Sequence, residues 1–139
     1  MIYVVDDTAD YRFLVQHVFK RFLPQYPLRL FADGLDLMQF IDRAANSSLA
    51  DGTKADQTLP GLLVLDVDMP KLNGFQTLEQ LKQYPSWQSV PVVMMSSREE
   101  SKFLQTALQE GAISYVVKPM YLAELQQVMT QLCHQYLDG

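Results

Sequence analysis

Three aspartates in this sequence each follow a short apolar run. Asp6 and Asp7 come directly after Ile2–Val5, and Asp66 comes directly after Leu62–Leu65. If both runs are strands of one parallel sheet, the three carboxylates meet at one edge of the sheet and repel one another. Proteins usually resolve such repulsion by binding a divalent cation through oxygen ligands, and Mg²⁺ is the natural candidate. The spacing therefore predicts a magnesium site.

A hydroxyl and an ammonium group follow two later apolar runs. Ser96 comes after Val92–Met95, and Lys118 comes after Ser114–Val117. A hydrogen-bond donor and a positive charge are what a transferred phosphoryl group needs around its oxygens. The nucleophile would then be a carboxylate. We favour Asp66, because it ends a continuously apolar strand that is expected to be buried on both faces.

Each of these motifs also has an ordinary structural interpretation when taken alone. An Asp-Asp pair before a helix is often an N-terminal cap, and a serine or lysine after a strand is often a turn residue. Their coincidence at one edge of one sheet favours the chemical interpretation. His17 and His134 fall on predicted helices away from the strand ends, so we assign them no catalytic role.

The elements that must position these residues alternate along the chain. Five short runs have strand patterns, and five longer segments repeat apolar residues at helical spacing. The predicted strands are Ile2–Val5, Leu28–Phe31, Leu62–Leu65, Val92–Met95 and Ser114–Val117. The alternation predicts an α/β fold, a three-layer αβα sandwich built on a doubly wound parallel sheet. Gly111 fits the position that follows a helix.

The composition limits the class of protein. The chain has 139 residues, a formal net charge of −5 and an isoelectric point near 4.8. Its acidity argues against direct nucleic-acid binding, and no apolar run reaches the ~18 residues of a membrane span. No signal peptide is expected at the start of the chain. The single cysteine, Cys133, cannot form an internal disulfide, so we expect a cytoplasmic protein.

The segment Leu62–Gly74, LLVLDVDMPKLNG, resembles the phosphorylation segment of the receiver domains of two-component response regulators. The resemblance extends over nearly the whole chain. It assigns five family features, in order: the acidic pair Asp6 and Asp7, the phosphoacceptor Asp66, the switch hydroxyl Ser96, the switch aromatic Tyr115, and the lysine-proline step Lys118–Pro119.

The resemblance implies a flavodoxin-like fold with five parallel strands in the order 2-1-3-4-5. It also implies that Asp7, Asp66 and the backbone carbonyl of Asp68 hold Mg²⁺, with Asp6 acting mostly through water. Lys118 is expected to pair with the phosphoryl group, and the Lys118–Pro119 bond is expected to be cis, which the sequence alone only permits.

The function implied by the resemblance is signalling in a two-component phosphorelay. A sensor histidine kinase or a phosphotransfer protein would phosphorylate Asp66, and the only reactions catalysed would be this transfer and the loss of the phosphoryl group. Recruitment of Ser96 by phosphate and rotation of Tyr115 would change the surface of residues 99–136, which would bind a downstream protein or a second copy. We expect this face to expose mainly polar side chains, namely Lys102, Gln105, Gln109, Gln126 and Gln127.

Three features depart from the common pattern or need separate interpretation. The segment 46–61 is longer than a usual connection and is interpreted as a loop insertion. Asp68 and Arg98 each stand two residues after a site residue, and we expect them to rim the site and set the lifetime of the phosphoryl group. We expect residues 1–139 to form a single receiver domain without an effector domain.

Two other function classes stay open at this stage. Asp66-Val67-Asp68 also matches the Asp-x-Asp start of haloacid-dehalogenase-like phosphatases, in which the first aspartate is the nucleophile and the second a general acid. That family has its paired acids last in the chain, whereas here the pair comes first. A receiver-like scaffold that is never phosphorylated is the second alternative, but a scaffold has no physical need for three mutually repelling carboxylates.

Overall fold

The computed structural model describes residues 1–46, 59–97 and 101–138. Five parallel strands form one sheet in the order β2-β1-β3-β4-β5, which confirms the predicted fold class and strand order. The strands are β1 (Ile2–Val5), β2 (Leu28–Phe31), β3 (Leu62–Asp66), β4 (Val92–Ser96) and β5 (Ser114–Val117). The helices are α1 (Ala9–Phe22), α2 (Gly34–Asn46), α3 (Gly74–Leu81), α4 (Ser101–Gln109) and α5 (Leu122–Tyr136).

The sheet separates two apolar cores. Alternate strand residues point to opposite faces, so Tyr3 and Val5 pack with α2, α3 and α4, whereas Ile2 and Val4 pack with α1 and α5. Covering both faces explains why the central strands are continuously apolar. Complete burial of a large aliphatic side chain contributes about 1.5–3 kcal/mol relative to exposure. The two cores therefore hold the strand ends in fixed positions.

The strand register brings the chemical residues to one edge. Val5 at the end of β1 lies beside Leu65 of β3, and Asp66 at the end of β3 lies beside Met95 of β4. On the far side of β4, Ser96 lies beside Val117 of β5. Because all five strands run in the same direction, the residues that follow them share the carboxyl edge of the sheet.

The ends of two helices are stabilised by their own sequences. Asn73 and Gln76 form a capping box at the start of α3, in which each side chain accepts the other residue's backbone N–H. After α4, Gly111 has φ of +104°. The N–H groups of Gly111 and Ala112 donate to the carbonyls of Leu108 and Ala107, which is the Schellman pattern. The prediction that Gly111 follows a helix is confirmed.

Some expectations differ from the structure or lie outside it. Phe22 continues the apolar stripe of α1 in the sequence, but its side chain is exposed. A short 3₁₀ helix at Pro85–Trp87 was not expected, and it buries Trp87 in the core. The proposed loop insertion falls mainly on residues 47–58, outside the described part of the chain.

Within the described ranges, none of the helices has the length and apolar character needed to cross a membrane.

Candidate functional site

The structure brings the three predicted carboxylates together. One carboxylate oxygen from each of Asp6, Asp7 and Asp66 lies within 4.8 Å of the others. Asp6 and Asp66 are buried, with exposed fractions of 2% and 5%, whereas Asp7 faces solvent. Two carboxylates are therefore withdrawn from water while they lie close to a third.

Lys118 provides positive charge inside this cluster. Its ammonium nitrogen lies 2.6 Å from a carboxylate oxygen of Asp6 and 3.8 Å from one of Asp66. The backbone N–H of Lys118 donates to the carbonyl of Ser96 at 2.7 Å, which fixes the end of β5 against β4. In this structure the ammonium is thus paired mainly with Asp6 and is close to the predicted nucleophile.

The electrostatics of Asp66 follow from its surroundings. Burial and the neighbouring charge of Asp6 raise the pKa of Asp66 to about 7, although Lys118 acts in the opposite direction. Three carboxylates and one ammonium leave the cluster with two uncompensated negative charges when all are ionised (−3 + 1 = −2). This charge and the all-oxygen donor set fit a divalent cation.

The turn that follows β3 holds Asp66 and Asp68 rigidly. The backbone N–H of Asp68 donates to a carboxylate oxygen of Asp66 at 3.2 Å. Further along, Lys71 has φ of +66°, and the N–H of Leu72 donates to the carbonyl of Pro70 at 2.7 Å. These features describe a γ-turn with its central residue in a strained conformation. The strain persists because both flanking segments are anchored.

Gly74 anchors the far end of this turn. Its N–H donates to the carbonyl of Val67 at 2.9 Å. A Cβ atom at this position would lie 2.4 Å from the carbonyl oxygen of Asp66 and 2.8 Å from Met94. Only glycine therefore lets the start of α3 approach the strand end that carries Asp66.

Ser96 lies at the end of β4, fully buried. Its hydroxyl donates to a carboxylate oxygen of Asp68 at 3.0 Å. The sequence placed Asp68 at the rim of the site, but it did not reveal this contact. Tyr115 lies on the neighbouring strand and is half-buried against the core on the α4 side of the sheet. Arg98, the second predicted rim residue, lies outside the described residues, and its role stays a prediction.

The N-cap and the first turn of α1 add site residues that the sequence analysis missed. The N–H of Thr8 donates to a carboxylate oxygen of Asp6 at 2.8 Å, and Arg12 donates to the carbonyl of Asp6 at 2.7 Å. Tyr11 packs its ring against the ammonium of Lys118. The available signal was position: Tyr11 shares a helical face with Val15 and stands four residues after the acidic pair.

The expectation of a cis bond between Lys118 and Pro119 is wrong. No peptide bond between described residues is cis, so this bond is trans. The intrinsic difference between the two forms of an X–Pro bond is only about 0.5–1 kcal/mol, and tertiary contacts decide it. In this structure the carbonyl of Pro119 accepts a hydrogen bond from the Tyr11 hydroxyl.

From residue 104 to residue 136, where the structure describes the side chains, the 99–136 surface is more apolar than expected. Gln105, Gln109 and Gln127 are exposed as predicted, but Gln126 is half-buried, and the side chain of Lys102 lies outside the described residues. Large apolar side chains are exposed along this part of the chain, namely Leu104, Leu108, Ile113, Val117, Met120, Tyr121 and Leu122. Such exposure is typical of a surface that contacts another protein.

The site opens to solvent through a cleft of about 280 Å³. Its lining residues come from the ends of four strands: Asp7, Thr8, Asp66, Asp68, Ser97, Lys118 and Met120. The cleft is large enough for a phosphoryl group and a hydrated cation.

Comparison with known proteins identifies relatives of the chain. The family model described as "Response regulator receiver domain" matches residues 2–130. Response regulator Rcp1 of Synechocystis is 28% identical over 125 residues, which cover 90% of this chain and 80% of the relative. The cyclic di-GMP phosphodiesterase response regulator RpfG of Xanthomonas campestris is also 28% identical over 125 residues, but the chain spans only 29% of its length.

Solved structures have the same fold. The phosphorylated cyanobacterial phytochrome response regulator RcpA matches with a TM-score of 0.80 at 22% identity, covering 98% of this chain and 92% of the other. The Mn²⁺-bound form of Rcp1 matches with a TM-score of 0.71 at 23% identity, covering 96% of this chain and 91% of the other. At these identities the likeness describes the fold alone.

Proposed function

Because the chain belongs to the response regulator receiver domain family, we propose that Asp66 is its phosphoacceptor. The observation that carries the proposal is the convergence of Asp6, Asp7, Asp66 and Lys118 in one cleft. This arrangement serves signalling by phosphorylation. The phosphatase alternative is not favoured, since the family match covers the whole site, and a scaffold role leaves the buried charges unexplained.

The proposed step transfers a phosphoryl group from a phosphohistidine of a sensor kinase or phosphotransfer protein. A carboxylate oxygen of Asp66 forms a bond to phosphorus as the phosphorus–nitrogen bond breaks. The electron pair of that bond stays on the imidazole, which takes a proton from solvent. Lys118, 3.8 Å from Asp66, is placed to pair with the arriving phosphoryl oxygens. Asp66 must be ionised to react, and added positive charge nearby would lower its raised pKa and so favour the reactive form.

We propose Mg²⁺ as the source of that charge. The carboxylates of Asp7 and Asp66 and the backbone carbonyl of Asp68 would hold it, and the carboxylate of Asp6 would act mostly through water. When bound, Mg²⁺ supplies two positive charges that offset the repulsion among the carboxylates and attract phosphoryl oxygens. The oxygen-only donor set and the charge of the cluster support this choice.

Changing Asp7 to alanine should weaken Mg²⁺ binding by about 10- to 100-fold, because it removes a charged oxygen ligand from an exposed position of the cluster. Isothermal titration of the purified protein with MgCl₂ measures this effect. Asp10→Ala is the matched control, since Asp10 is an exposed acid in the first turn of α1, close to Asp7 in the chain but outside the cluster. Equal affinities of the two variants would remove Asp7 from the metal site.

We propose that phosphorylation is signalled to a partner protein through the surface of residues 99–136. The large apolar side chains exposed on that surface support this proposal. In the structure the hydroxyl of Ser96 donates to Asp68. Phosphate on Asp66 would offer a more highly charged acceptor, and Tyr115 would move into the space that Ser96 leaves. A downstream protein or a second copy of the chain would read the altered surface.

Changing Ser96 to alanine should leave phosphorylation of Asp66 intact but abolish most of its effect on the 99–136 surface. The reason is that alanine cannot donate a hydrogen bond to the phosphoryl group. Amide chemical shifts recorded before and after phosphorylation measure the effect. Ser89→Ala, which changes an exposed serine just before β4 that does not line the cleft, should behave as the wild type. A full response of this surface in the Ser96 variant would contradict the proposed route.

The experiment that tests the proposed function is mass spectrometry after incubation with acetyl phosphate and MgCl₂. We expect the mass of one base-labile phosphoryl group, and we expect none when a chelator replaces MgCl₂. Absence of labelling under all conditions would refute the function.

A further inference from the structure

Tyr11 is a buried aromatic residue that contacts Lys118, one of the residues lining the cleft. It lies in the first turn of α1, with an exposed fraction of 5%. Its ring belongs to the core between α1, α5 and the sheet, which alone would explain an apolar residue at this position. Core packing does not explain why this residue carries a hydroxyl group or why its ring contacts the cationic side chain of Lys118.

The ring of Tyr11 faces the ammonium of Lys118. The Lys118 nitrogen lies 4.1 Å from the ring centroid, well within the range of a cation–π interaction. Asp6 holds the same ammonium at 2.6 Å, and Asp66 lies at 3.8 Å. The side chain of Lys118 is only 12% exposed, so the ring occupies a place that water would otherwise take. Tyr11 thus forms one wall of the pocket that fixes the charge beside the nucleophile.

The hydroxyl of Tyr11 fixes the backbone that carries Lys118. It donates to the carbonyl of Pro119 at 2.9 Å and lies 3.8 Å from the sulfur of Met95. The next residue along the chain from Lys118 is therefore tied to α1. Burial and the nearby charges of Asp6 and Asp66 raise the pKa of Tyr11, so the hydroxyl stays a neutral donor.

From these contacts we propose that Tyr11 is a positioning residue for phosphoryl transfer, acting through Lys118. The inference rests on the proposed function. The ring restricts the ammonium to the side of the cleft that faces Asp66, and the hydroxyl fixes the position of the Lys118–Pro119 backbone relative to α1. With a smaller aliphatic residue at position 11, water could reach the ammonium, and Lys118 would be less precisely placed toward the phosphoryl oxygens.

The rate of labelling by acetyl phosphate and MgCl₂ tests this role. We expect Tyr11→Leu to slow labelling about tenfold, which corresponds to about 1.4 kcal/mol of activation free energy. Tyr11→Phe keeps the ring and should stay within about threefold of the wild type, since it loses one hydrogen bond. Folding of each variant is checked by circular dichroism at the assay temperature. A Tyr11→Leu variant that is folded and labels at the wild-type rate would overturn the proposal.

Two further variants separate positioning from general damage. In a Lys118→Met background, adding Tyr11→Leu should change the rate by less than about twofold, because the residue through which Tyr11 acts is gone. Tyr3→Leu is the matched control: Tyr3 is an equally buried tyrosine, but it packs in the core on the opposite face of the sheet. A tenfold loss that persists without Lys118, or that Tyr3→Leu reproduces, would show a merely structural effect.

Nuclear magnetic resonance provides a readout that does not depend on phosphorylation. The ring face should shift the Lys118 Hε protons upfield in the wild type and in Tyr11→Phe, but not in Tyr11→Leu. An unshifted Lys118 in the wild type would refute the contact. A wild type that takes no phosphoryl group would refute the proposed function and the inference with it, whereas a labelled wild type with an unaffected Tyr11→Leu variant would refute the inference alone.

Discussion

Replacing Asp66 with asparagine is expected to reduce phosphoryl incorporation by at least about 100-fold, because the amide is nearly isosteric but cannot act as the nucleophile. The change leaves Asp6, Asp7 and Lys118 in place, so loss of labelling would not reflect loss of the site as a whole. Mass spectrometry after incubation with acetyl phosphate and MgCl₂ measures it. Asp10→Asn, an exposed acid of α1, is the control. Full labelling of the asparagine variant would exclude Asp66 as the phosphoacceptor.

Asp66→Asn should also show how much the ionised, buried carboxylate of Asp66 lowers folding stability. The pKa of Asp66 is raised from 3.8 to about 7 in the folded protein, so the unfolded state ionises first as the pH rises. Folding stability is then lost between about pH 4 and pH 7. In a chelator, Asp66→Asn should therefore be more stable than the wild type at pH 8, and this advantage should vanish near pH 4. The difference between the two pKa values (7 − 3.8) sets an upper limit of about 4 kcal/mol on the advantage. Denaturant unfolding at both pH values provides the comparison.

The second large effect is expected at Lys118. Lys118→Met removes the charge and keeps the length of the side chain, leaving the buried carboxylate of Asp6 without its ion pair. Breaking a buried pair in this way should cost about 3 kcal/mol of folding stability in a chelator. Phosphorylation should slow about 100-fold, as it does when a charge-stabilising donor is lost. Denaturant unfolding measures the first effect and mass spectrometry the second.

The controls for Lys118 follow from the geometry. Lys20→Met changes an exposed lysine of α1 and should affect neither stability nor labelling appreciably. Mg²⁺ binding should survive in the Lys118 variant, because the ammonium contacts carboxylates and is not a metal ligand. If the Lys118 variant were labelled at the wild-type rate, the ion pair with Asp6 would be structural only.

Hydrophobic patterning predicted the fold and the placement of the acids. The bounds of β1, β2 and β5 agree with the prediction, and β1 and β5 each end directly before a charged residue, Asp6 and Lys118. The meeting of Asp6, Asp7 and Asp66 follows from parallel topology alone. Such inferences depend only on the order of elements along the chain, which the sequence contains directly.

The contacts that the sequence did not reveal depend on atomic distances. The pairing of Tyr11 with Lys118 joins residues 107 positions apart (118 − 11), and periodicity indicates only that Tyr11 is buried. The hydrogen bond between Ser96 and Asp68 depends on the turn after β3, where Lys71 has an uncommon φ. The form of the Lys118–Pro119 bond depends on which contacts the two forms permit. The capping box of Asn73 and Gln76 is different, since its Asn-x-x-Gln spacing is a signal that the sequence itself contains.

Because Asp6, Asp7 and Asp66 lie so close together, the relative folding stability of variants should depend on whether a divalent cation is present. A cation that binds only the folded chain shifts the folding equilibrium by thermodynamic linkage, by about 2.7 kcal/mol at a hundred times its dissociation constant. Removal of an acid relieves repulsion in a chelator but forfeits this contribution when the cation is present. The order of melting temperatures among acid-to-amide variants should therefore be reversed between the two buffers. Folding and cation binding are then two parts of one coupled equilibrium.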